Sequence, residues 1–391
     1  MTTLRRLLTI GHSYVVGQNR RLAHELALAG RSRGWEVTVA APTFVHGDLR
    51  PISLEHRPDE PYRLVPLRVR GSKRIHTMFY ERGLRKVLQA EPWDLVHVWE
   101  EPYILAGYQI ARNTPRRTPL VFWTAQNIHK WYPPPFSFFE HSVVKRSSGW
   151  LACGHTTVET LLKRPGYSAK PFRILPLGVD LAAFRADEQL AATVRRELDW
   201  SDDGPPIVGY LGRFVPEKGV RILMQALDKT SPPWRALFVG GGPLERELRT
   251  WSVKHGDRVR ILTDVSHDRV PRVLCAMHVL AAPSQTTPKW REQLGRMILE
   301  AMACSVPVIG SDSAEIPHVI GDTGIVVPEG DVSRWADALA RLLNEEKLRS
   351  ELADRGLRRV REEYAWPAIA DRHWNFFEEV LANDAARTVS S

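Results

Sequence analysis

The chain has few cysteines and lacks a long apolar run. Its three cysteines among 391 residues, Cys153, Cys275 and Cys304, are scattered, and neither they nor the histidines stand at metal-ligand spacing. This excludes a disulfide framework and predicts reduced thiols in a cytosol-like compartment, with no protein-bound metal. The first apolar run, residues 7–10, is too short for a membrane span or a signal peptide. We therefore expect a cytoplasmic protein.

Acidic residues are outnumbered, giving a net charge of +9 and a pI of about 9.6. Residues 63–86 contain eight Lys or Arg but one acid, Glu81, and Met78, Phe79 and Tyr80 interrupt them. Basic segments interleaved with aromatics are typical of peripheral contact with an anionic membrane, here on its inner face. The alternative is a solvated helix and loop with a buried aromatic face. No recognition helix or stacking motif favours a nucleic-acid partner.

Short apolar strands alternate with amphipathic helices along the chain. This alternation predicts an α/β protein with parallel sheets covered by helices. Strands are predicted at residues 4–10, 35–41, 94–99, 120–124, 207–211, 234–239, 259–262, 278–281, 306–309 and 325–327, and one more follows a helix within residues 143–152. Helices are predicted at residues 17–33, 156–163, 219–227, 243–254, 268–275, 295–304, 348–364 and 366–380, and also from 102, near 143 and from 332.

The chain is too long for one ordinary core, and its strand–helix alternation pauses once. The pause, residues 176–205, is rich in Gly, Pro and acids, which is typical of a domain junction. The sequence therefore predicts domains at 1–178 and 179–365, and a terminal helix at 366–391 that packs back on the first domain. Since ligands of parallel sheets bind beyond the carboxyl ends of the strands, we expect a cleft between the two sheets.

A second-half loop carries Glu292, turns at Gly295 and enters a helix that carries Glu300 on its second turn. Free backbone N–H groups at a helix start attract phosphate. Carboxylates on either side suit the hydroxyls of a phosphate-linked sugar or nucleoside. This segment therefore predicts a binding site for such a ligand.

Two cations, Arg213 and Lys218, lie five residues apart in a glycine-flanked turn after the strand at 207–211. The turn is not a P-loop, because no Gly-Lys-Ser/Thr follows a four-residue spacer. Two cations at a strand end fit a diphosphate, which an arginine can bind bidentately. The alternative is a pair of surface cations beside Glu217.

The next two strands of the second half also end in candidate binding loops. Three glycines ending in Gly242 permit close backbone approach to a ligand, although a helix start with Pro243 in its first turn explains most of the pattern. Asp264 and Val265 follow the next strand, where their backbone would hold the edge of a base.

Polar loops also follow the strands of the first half, and we expect them to project into the same cleft. His12, His97 and His129 are candidate acid–base groups, although a single histidine is more often structural or on the surface. The candidate residues of these loops are Gly17, His12, Tyr14, Glu100, Asn127 and His129.

Taken in order, the second-half motifs resemble the retaining glycosyltransferases of family four, which have the GT-B fold. The matching motifs are residues 175–180 with Phe184, 212–219, 241–245, 282–284, Glu292 and Glu300 with seven residues between them, 315–317 and 324–331. The resemblance implies two Rossmann-like domains whose parallel sheets face a central cleft. The second domain would bind the nucleotide-diphosphate sugar, and the first, with the loop residues named above, would form the acceptor side. It also implies transfer of a sugar from a nucleotide-diphosphate sugar to a hydroxyl acceptor: a glycan, a glycolipid or a small glycoside.

The resemblance also implies roles for individual residues. Arg213 and Lys218 would hold the diphosphate and stabilise the leaving group, Glu300 would accept from the ribose hydroxyls, and Glu292 would position the donor sugar. The backbone amides near the helix start would face sugar or phosphate; they belong to Leu294, Gly295, Arg296 and Met297. The donor is a substrate, and no cofactor or metal is expected.

The chain departs from the family at Gln126, where many members have a histidine. An amide cannot act as a base at neutral pH, although it can hydrogen-bond a sugar, and His129 is displaced by three residues. Gln126 is therefore retained as a catalytic candidate. It also supports the alternative hypothesis, a catalytically degenerate protein that binds a nucleotide sugar. A phosphorylase or an epimerase of similar architecture is a further alternative.

Overall fold

The computed structural model describes residues 4–46, 51–231 and 233–389. Its contacts divide the chain into two compact units. The first consists of Met1–Pro176 with Trp366–Ser391, and the second is Leu177–Ala365. The boundary predicted after residue 178 lies two residues beyond the one in the structure, which follows Pro176. The boundary predicted after residue 365 coincides with the one in the structure.

Seventeen strands lie within the described ranges. In the first unit they are β1 (Arg5–Ile10), β2 (Trp35–Pro42), β3 (Phe44–His46), β4 (Pro51–Ser53), β5 (Arg63–Leu67), β6 (Val69–Arg70), β7 (Phe79–Tyr80), β8 (Leu95–Val98), β9 (Leu120–Thr124), β10 (Gly149–Ala152) and β11 (Phe172–Ile174). In the second they are β12 (Ile207–Leu211), β13 (Arg235–Val239), β14 (Val259–Leu262), β15 (Val279–Ala282), β16 (Val308–Ser311) and β17 (Ile325–Val327).

Fourteen α-helices lie within the same ranges. They are α1 (Arg21–Ser32), α2 (Gly83–Ala90), α3 (Leu105–Asn113), α4 (Phe136–Arg146), α5 (His155–Leu161), α6 (Glu188–Glu197), α7 (Val220–Lys229), α8 (Glu245–Val253), α9 (Val270–Cys275), α10 (Arg296–Ala303), α11 (Ile316–Ile320), α12 (Val332–Asn344), α13 (Glu346–Arg359) and α14 (Trp366–Val389). A π-helical turn, Val360–Tyr364, follows α13.

Each unit contains one parallel sheet. The first has the strand order β11-β10-β9-β8-β1-β2-β5 and the second β14-β13-β12-β15-β16-β17. The central strands of both are buried on two faces, as all four residues of β8 and of β15 are. Burial on both faces explains their continuous apolar runs. The predicted α/β fold with two parallel sheets is confirmed.

Several elements were missed by the sequence patterns. Strand β5 contains Pro66 and half-exposed residues, because it lies at the sheet edge and pairs on one side. The supposed pause at 176–205 contains α6, whose first turn is capped by Asp187: its side chain accepts the Leu190 N–H at 3.0 Å. The helix predicted from residue 17 begins at Arg21, because the four residues before it form a 3₁₀ turn.

The terminal helix α14 completes the core of the first unit. The ring of Trp374 packs 5.0 Å from that of Trp35, and its Nε1–H donates to the Leu26 carbonyl at 3.1 Å. Phe376 and Phe377 are also buried in this cluster. Among the described residues, no helix combines the length and apolar character that crossing a bilayer would require.

Candidate functional site

At the carboxyl edge of the second sheet, the loops after β12 and β13 pack closely together. The Phe214 N–H donates to the Gly241 carbonyl at 2.8 Å. A Cβ on Gly240 would lie 1.9 Å from the Gly212 carbonyl oxygen, and one on Gly242 would lie 2.7 Å from that of Phe214. Glycine is therefore required at 240 and 242 for contact between loops, which explains the glycine pattern without a ligand.

Lys218 and Glu292 meet at this edge. Lys218 Nζ donates to Glu292 Oε2 at 2.5 Å, and the same oxygen accepts from Ser284 Oγ at 3.0 Å. Their side chains are 16% and 9% exposed, and Lys218 Nζ lies 4.9 Å from the centre of the Trp290 ring. The result is a shielded ion pair at the ends of β12 and β15, in which Lys218 retains further donor capacity.

Backbone packing brings these two residues together from positions 74 apart in the chain. Gly219 adopts a left-handed conformation, with φ of 70°, and its Cα lies so close to the Pro283 carbonyl that a Cβ there would sit 1.7 Å from the oxygen. The Gln285 N–H donates to the Glu217 carbonyl at 2.8 Å. The cationic turn is thus fastened to the loop after β15.

Helix α10 begins beside this pair. Its N-cap, Gly295, has φ of 74°, and an ideal Cβ on it would lie 3.8 Å from Glu292 Cγ. Leu294 is buried, Arg296 is exposed and Met297 is half-buried. Glu292 therefore lies between Lys218 and the start of the helix.

Glu300 lies further along α10 and is buried. Burial raises the pKa of its carboxyl above the ordinary value, while the charges of Arg296 and His267 act in the opposite direction. Arg296 Nη2 is 3.4 Å from Glu300 Oε1. Glu300 is therefore a buried acceptor with a cation on its own helix.

Arg213 is the most exposed of the predicted donor-binding cations. Its side chain is 66% exposed and its Nη2 lies 4.0 Å from Glu217 Oε1, while its carbonyl accepts from Tyr210 Oη at 2.8 Å. The backbone is thus fixed and the guanidinium is left accessible. Asp264 and Val265 follow β14 at the sheet edge, exposed and half-buried respectively.

In the first unit, His12 and Glu100 follow the adjacent parallel strands β1 and β8. His12 Nδ1 lies 2.5 Å from Glu100 Oε2, and the other carboxylate oxygen accepts from the His12 N–H at 2.6 Å and from Tyr80 Oη at 2.9 Å. Burial lowers the pKa of His12, but the charge and hydrogen bond of Glu100, with the charge of Glu101, raise it above its ordinary value overall. The ring is 32% exposed. This is an oriented, partly accessible histidine–carboxylate pair.

Glu101, which the sequence analysis did not select, organises the neighbouring loop. It accepts from Thr124 Oγ1 at 2.6 Å, from the Ala125 N–H at 2.9 Å and from Gln126 Nε2 at 3.3 Å. Burial raises the pKa of its carboxyl, partly offset by these hydrogen bonds. Tyr132 Oη donates to Gln126 Oε1 at 2.8 Å. The Gln126 amide is therefore buried and held from both ends.

The remaining acceptor-side candidates occupy different environments. Tyr14 is fully buried with its hydroxyl 2.9 Å from Thr9 Oγ1, so its side chain has no surface with which to touch an acceptor. The Gly17 N–H donates to Glu55 Oε2 at 2.7 Å. Asn127 is buried, whereas His129 is exposed.

His97 is structural. It is fully buried, and burial together with the nearby His373 lowers its pKa well below the ordinary value. Elsewhere in the described ranges, no group of three or more His, Cys, Asp or Glu side chains is arranged to hold a metal ion.

Two family models match the chain. Residues 205–345 match a model described as glycosyl transferases group 1, and residues 20–183 match one described as glycosyltransferase family 4. The chain belongs to the family four glycosyltransferases.

Named relatives of this glycosyltransferase chain come from bacteria. A GDP-mannose-dependent monoacylated alpha-(1-6)-phosphatidylinositol monomannoside mannosyltransferase of Corynebacterium glutamicum is 30% identical over 214 residues, which make up 53% of this chain and 56% of the relative. A D-inositol 3-phosphate glycosyltransferase of Xylanimonas cellulosilytica is 27% identical over 325 residues, or 80% of this chain and 73% of the relative. This chain thus spans little more than half the length of the Corynebacterium protein.

The fold is shared with solved structures. A protein of Anabaena, crystallised with UDP and glucose, superimposes with a TM-score of 0.71 at 18% identity, covering 96% of this chain and 100% of that one. At this identity the likeness concerns the fold alone. The chain therefore has the GT-B architecture of two Rossmann-like domains, as the resemblance implied.

Proposed function

We propose that this protein is a retaining glycosyltransferase that moves a sugar from a nucleotide-diphosphate sugar to a hydroxyl acceptor. The observation that carries the proposal is the shielded contact of Lys218 with Glu292 beside the start of α10. It places a cation, a carboxylate and a helix N-terminus within one small region. These are the groups that a diphosphate and an adjoining sugar would require.

The nucleotide-diphosphate sugar would be bound by the N–H groups of Lys218 that Glu292 does not occupy. Lys218 has three N–H donors, one of which Glu292 occupies, so a diphosphate oxygen can be bound without breaking the ion pair. Arg213, accessible on the adjacent loop, would bind the diphosphate as a second cation. The backbone near Gly242, Asp264 and Val265 would complete the nucleotide site.

The two carboxylates would bind sugar hydroxyls. Glu292, oriented by Lys218 and Ser284, would accept from the transferred sugar, and the buried Glu300 would accept from the ribose. As charge develops on the leaving diphosphate, the cations and the helix N-terminus would stabilise it. A departing phosphate oxygen would take the acceptor proton on the same face, which retains the anomeric configuration. Glu292 is thereby a positioning group, and no cofactor or metal is required.

The acceptor would bind to the first unit near His12 and Glu100. The acceptor class we propose is a glycan, a glycolipid or a small glycoside. We place the reaction in the cytoplasm, where the three cysteine thiols would remain reduced. Gln126 would contribute a hydrogen bond, because Glu101 and Tyr132 fix its amide.

A thermal-shift screen against UDP-, GDP-, ADP- and TDP-sugars tests the proposal, since a ligand that binds only the native state raises the melting temperature. GDP-mannose comes first because the name of the Corynebacterium relative specifies it, and UDP-glucose because the Anabaena protein was crystallised with UDP and glucose. Stabilisation by one donor series, followed by sugar transfer or slow donor hydrolysis, supports the proposal. No shift with any donor would reject it.

The alternative is a degenerate protein that binds a nucleotide sugar without transferring it. Gln126, buried at the position where many family members have a histidine, favours this alternative. It predicts donor stabilisation with neither hydrolysis nor transfer over a broad panel of hydroxyl acceptors. The same assays therefore separate the two functions.

A further inference from the structure

A basic groove lies in the first unit, apart from the residues assigned above to donor binding. It has a volume of about 730 Å³ and is bordered by β6, β7, the start of α2 and the outer face of α3. The residues that matter to its chemistry are Arg68, Arg70, Arg82, Arg85, Phe79 and Gln109. Tyr80 and Glu81 also line the groove. Tyr80 is buried in the core, and Glu81 forms an ion pair with Arg70.

Positive charge in the groove is incompletely neutralised. Arg70 Nε lies 2.7 Å from Glu81 Oε1, yet the Arg70 side chain remains 73% exposed. Arg68, Arg82 and Arg85 form no ion pair with any residue in the described ranges. The groove therefore presents four guanidinium groups against one carboxylate, which favours an anion.

The backbone that carries these arginines is firmly held. The Tyr80 N–H donates to Gln109 Oε1 at 2.8 Å, and Gln109 Nε2 donates back to the Tyr80 carbonyl at 2.6 Å. The Glu81 N–H donates to the Arg68 carbonyl at 2.9 Å. The β6–β7 hairpin is thus attached to α3, so the backbone of this wall of the groove is fixed before any ligand binds.

Two further features indicate the chemistry of the ligand. Helix α2 begins at Gly83 on the groove wall, and its N-terminal turn adds partial positive charge. The Phe79 side chain, 37% exposed, supplies an apolar surface beside the arginines. An arginine binds phosphate through two parallel N–H donors. Phosphate joined to an apolar or carbon-rich group therefore matches both surfaces.

We propose that this groove binds the phosphate group of an anionic ligand, with Arg68, Arg82 and Arg85 as the phosphate ligands and Phe79 against the adjoining carbon chain. The phosphate could belong to a phospholipid headgroup or to a soluble phosphate ester. The lipid source would account for the membrane contact predicted from residues 63–86. The site is separate from the donor residues, so it stands whether or not the protein transfers a sugar.

The test compares the double variant R82Q/R85Q with a control that loses the same charge, R358Q/R361Q. Arg358 and Arg361 are exposed residues of the second unit. One arm measures co-sedimentation with vesicles of phosphatidylcholine, alone or mixed with phosphatidylglycerol. The other arm titrates glycerol 1-phosphate and inorganic phosphate. Circular dichroism and donor-induced thermal shifts confirm that each variant is folded and report on the donor site independently.

We expect wild type and R358Q/R361Q to bind in at least one arm, and R82Q/R85Q to bind roughly 10- to 30-fold more weakly there. Binding only to phosphatidylglycerol vesicles identifies a lipid headgroup, and binding of glycerol 1-phosphate identifies a soluble ester. Equal weakening of both double variants would show a general charge effect and overturn the proposal. So would the absence of wild-type binding in both arms. A variant F79S separates the apolar contribution, because it should weaken lipid binding more than binding of inorganic phosphate.

Discussion

Lys218 Nζ donates to Glu292 Oε2 at 2.5 Å, with the Trp290 ring beside the ammonium group. A largely buried cation is costly without a counter-charge, and Glu292 supplies it within the protein. Ser284 fixes the same carboxylate oxygen from the other side. The geometry of the proposed donor site is thus set by the protein's own hydrogen bonds.

Replacing Lys218 by Ala should remove the diphosphate contact and leave Glu292 without its cation. We expect donor affinity to fall about 100-fold or more, as the loss of a charged hydrogen bond in a shielded site implies. Isothermal titration with the donor identified by the screen measures the effect. K254A, which removes an exposed lysine of the same unit, is the control. Unchanged donor affinity in K218A would refute the site.

Replacing Glu300 tests the proposed ribose contact. Because its carboxylate is buried on α10, E300A should weaken donor binding roughly 10- to 100-fold, and E300Q, which keeps one acceptor oxygen, should weaken it less. Comparing the intact nucleotide sugar with inorganic pyrophosphate locates the loss, since pyrophosphate has no ribose. An equal loss for both ligands would contradict a ribose role. E351Q, at an exposed glutamate, serves as the control.

The Tyr132 hydroxyl holds the Gln126 carbonyl oxygen, so Y132F should release one end of that amide. We expect a loss of about 1 kcal/mol in unfolding free energy, measured by urea denaturation. If Gln126 positions the acceptor, kcat/KM for the acceptor should also fall while donor affinity stays unchanged. Y103F is a matched control, because Tyr103 stacks on Tyr132 with ring centres 4.4 Å apart. A larger effect in Y103F than in Y132F would refute the hydrogen-bond account.

The His12–Glu100 pair should make stability depend on pH. The pKa of His12 is higher in the folded state than in the unfolded state, where it is near 6.5. The protonated ring therefore contributes stability that is fully present below pH 6.5 and is lost as the pH rises through the folded-state pKa. Unfolding free energies should therefore be measured from pH 5 to pH 9. As the pH rises above 6.5, they should decline more for wild type than for H12N. Parallel curves for the two proteins would show that the pair carries no such linkage. H129N, at an exposed histidine, provides the comparison.

Much of the architecture could be predicted from local patterns. The bounds of β9, β12, β14 and β17 match the predicted ranges, because short, mainly apolar runs between polar or glycine residues are typical of strands. Strand β5 escaped detection because an edge position tolerates Pro66 and exposed charges. The local strand signal therefore depends on a mainly apolar run, which the edge strands β14 and β17 keep and which Pro66 interrupts in β5.

The site shows a similar division. Lys218 and Glu292 could be selected from their loops, but their contact depends on the approach of Gly219 to Pro283, which no local pattern encodes. Glu101 was overlooked beside an identical neighbour, Glu100. Glu101, rather than Glu100, accepts from Gln126 because of the direction in which the backbone leaves β8, and the residue types do not reveal that direction.

The chain leaves the first unit at Pro176 and returns to it only at Trp366, where α14 brings Trp374, Phe376 and Phe377 into the core. During synthesis the second unit can therefore complete its sheet while the first still lacks part of its interior. A fragment that stops at residue 176 would leave Trp35 and the inner face of α1 uncovered by these aromatic rings. Helix α14 thus closes the interior of the first unit only after the whole second unit has been synthesised, which makes an intact α14 a condition for folding of the first unit.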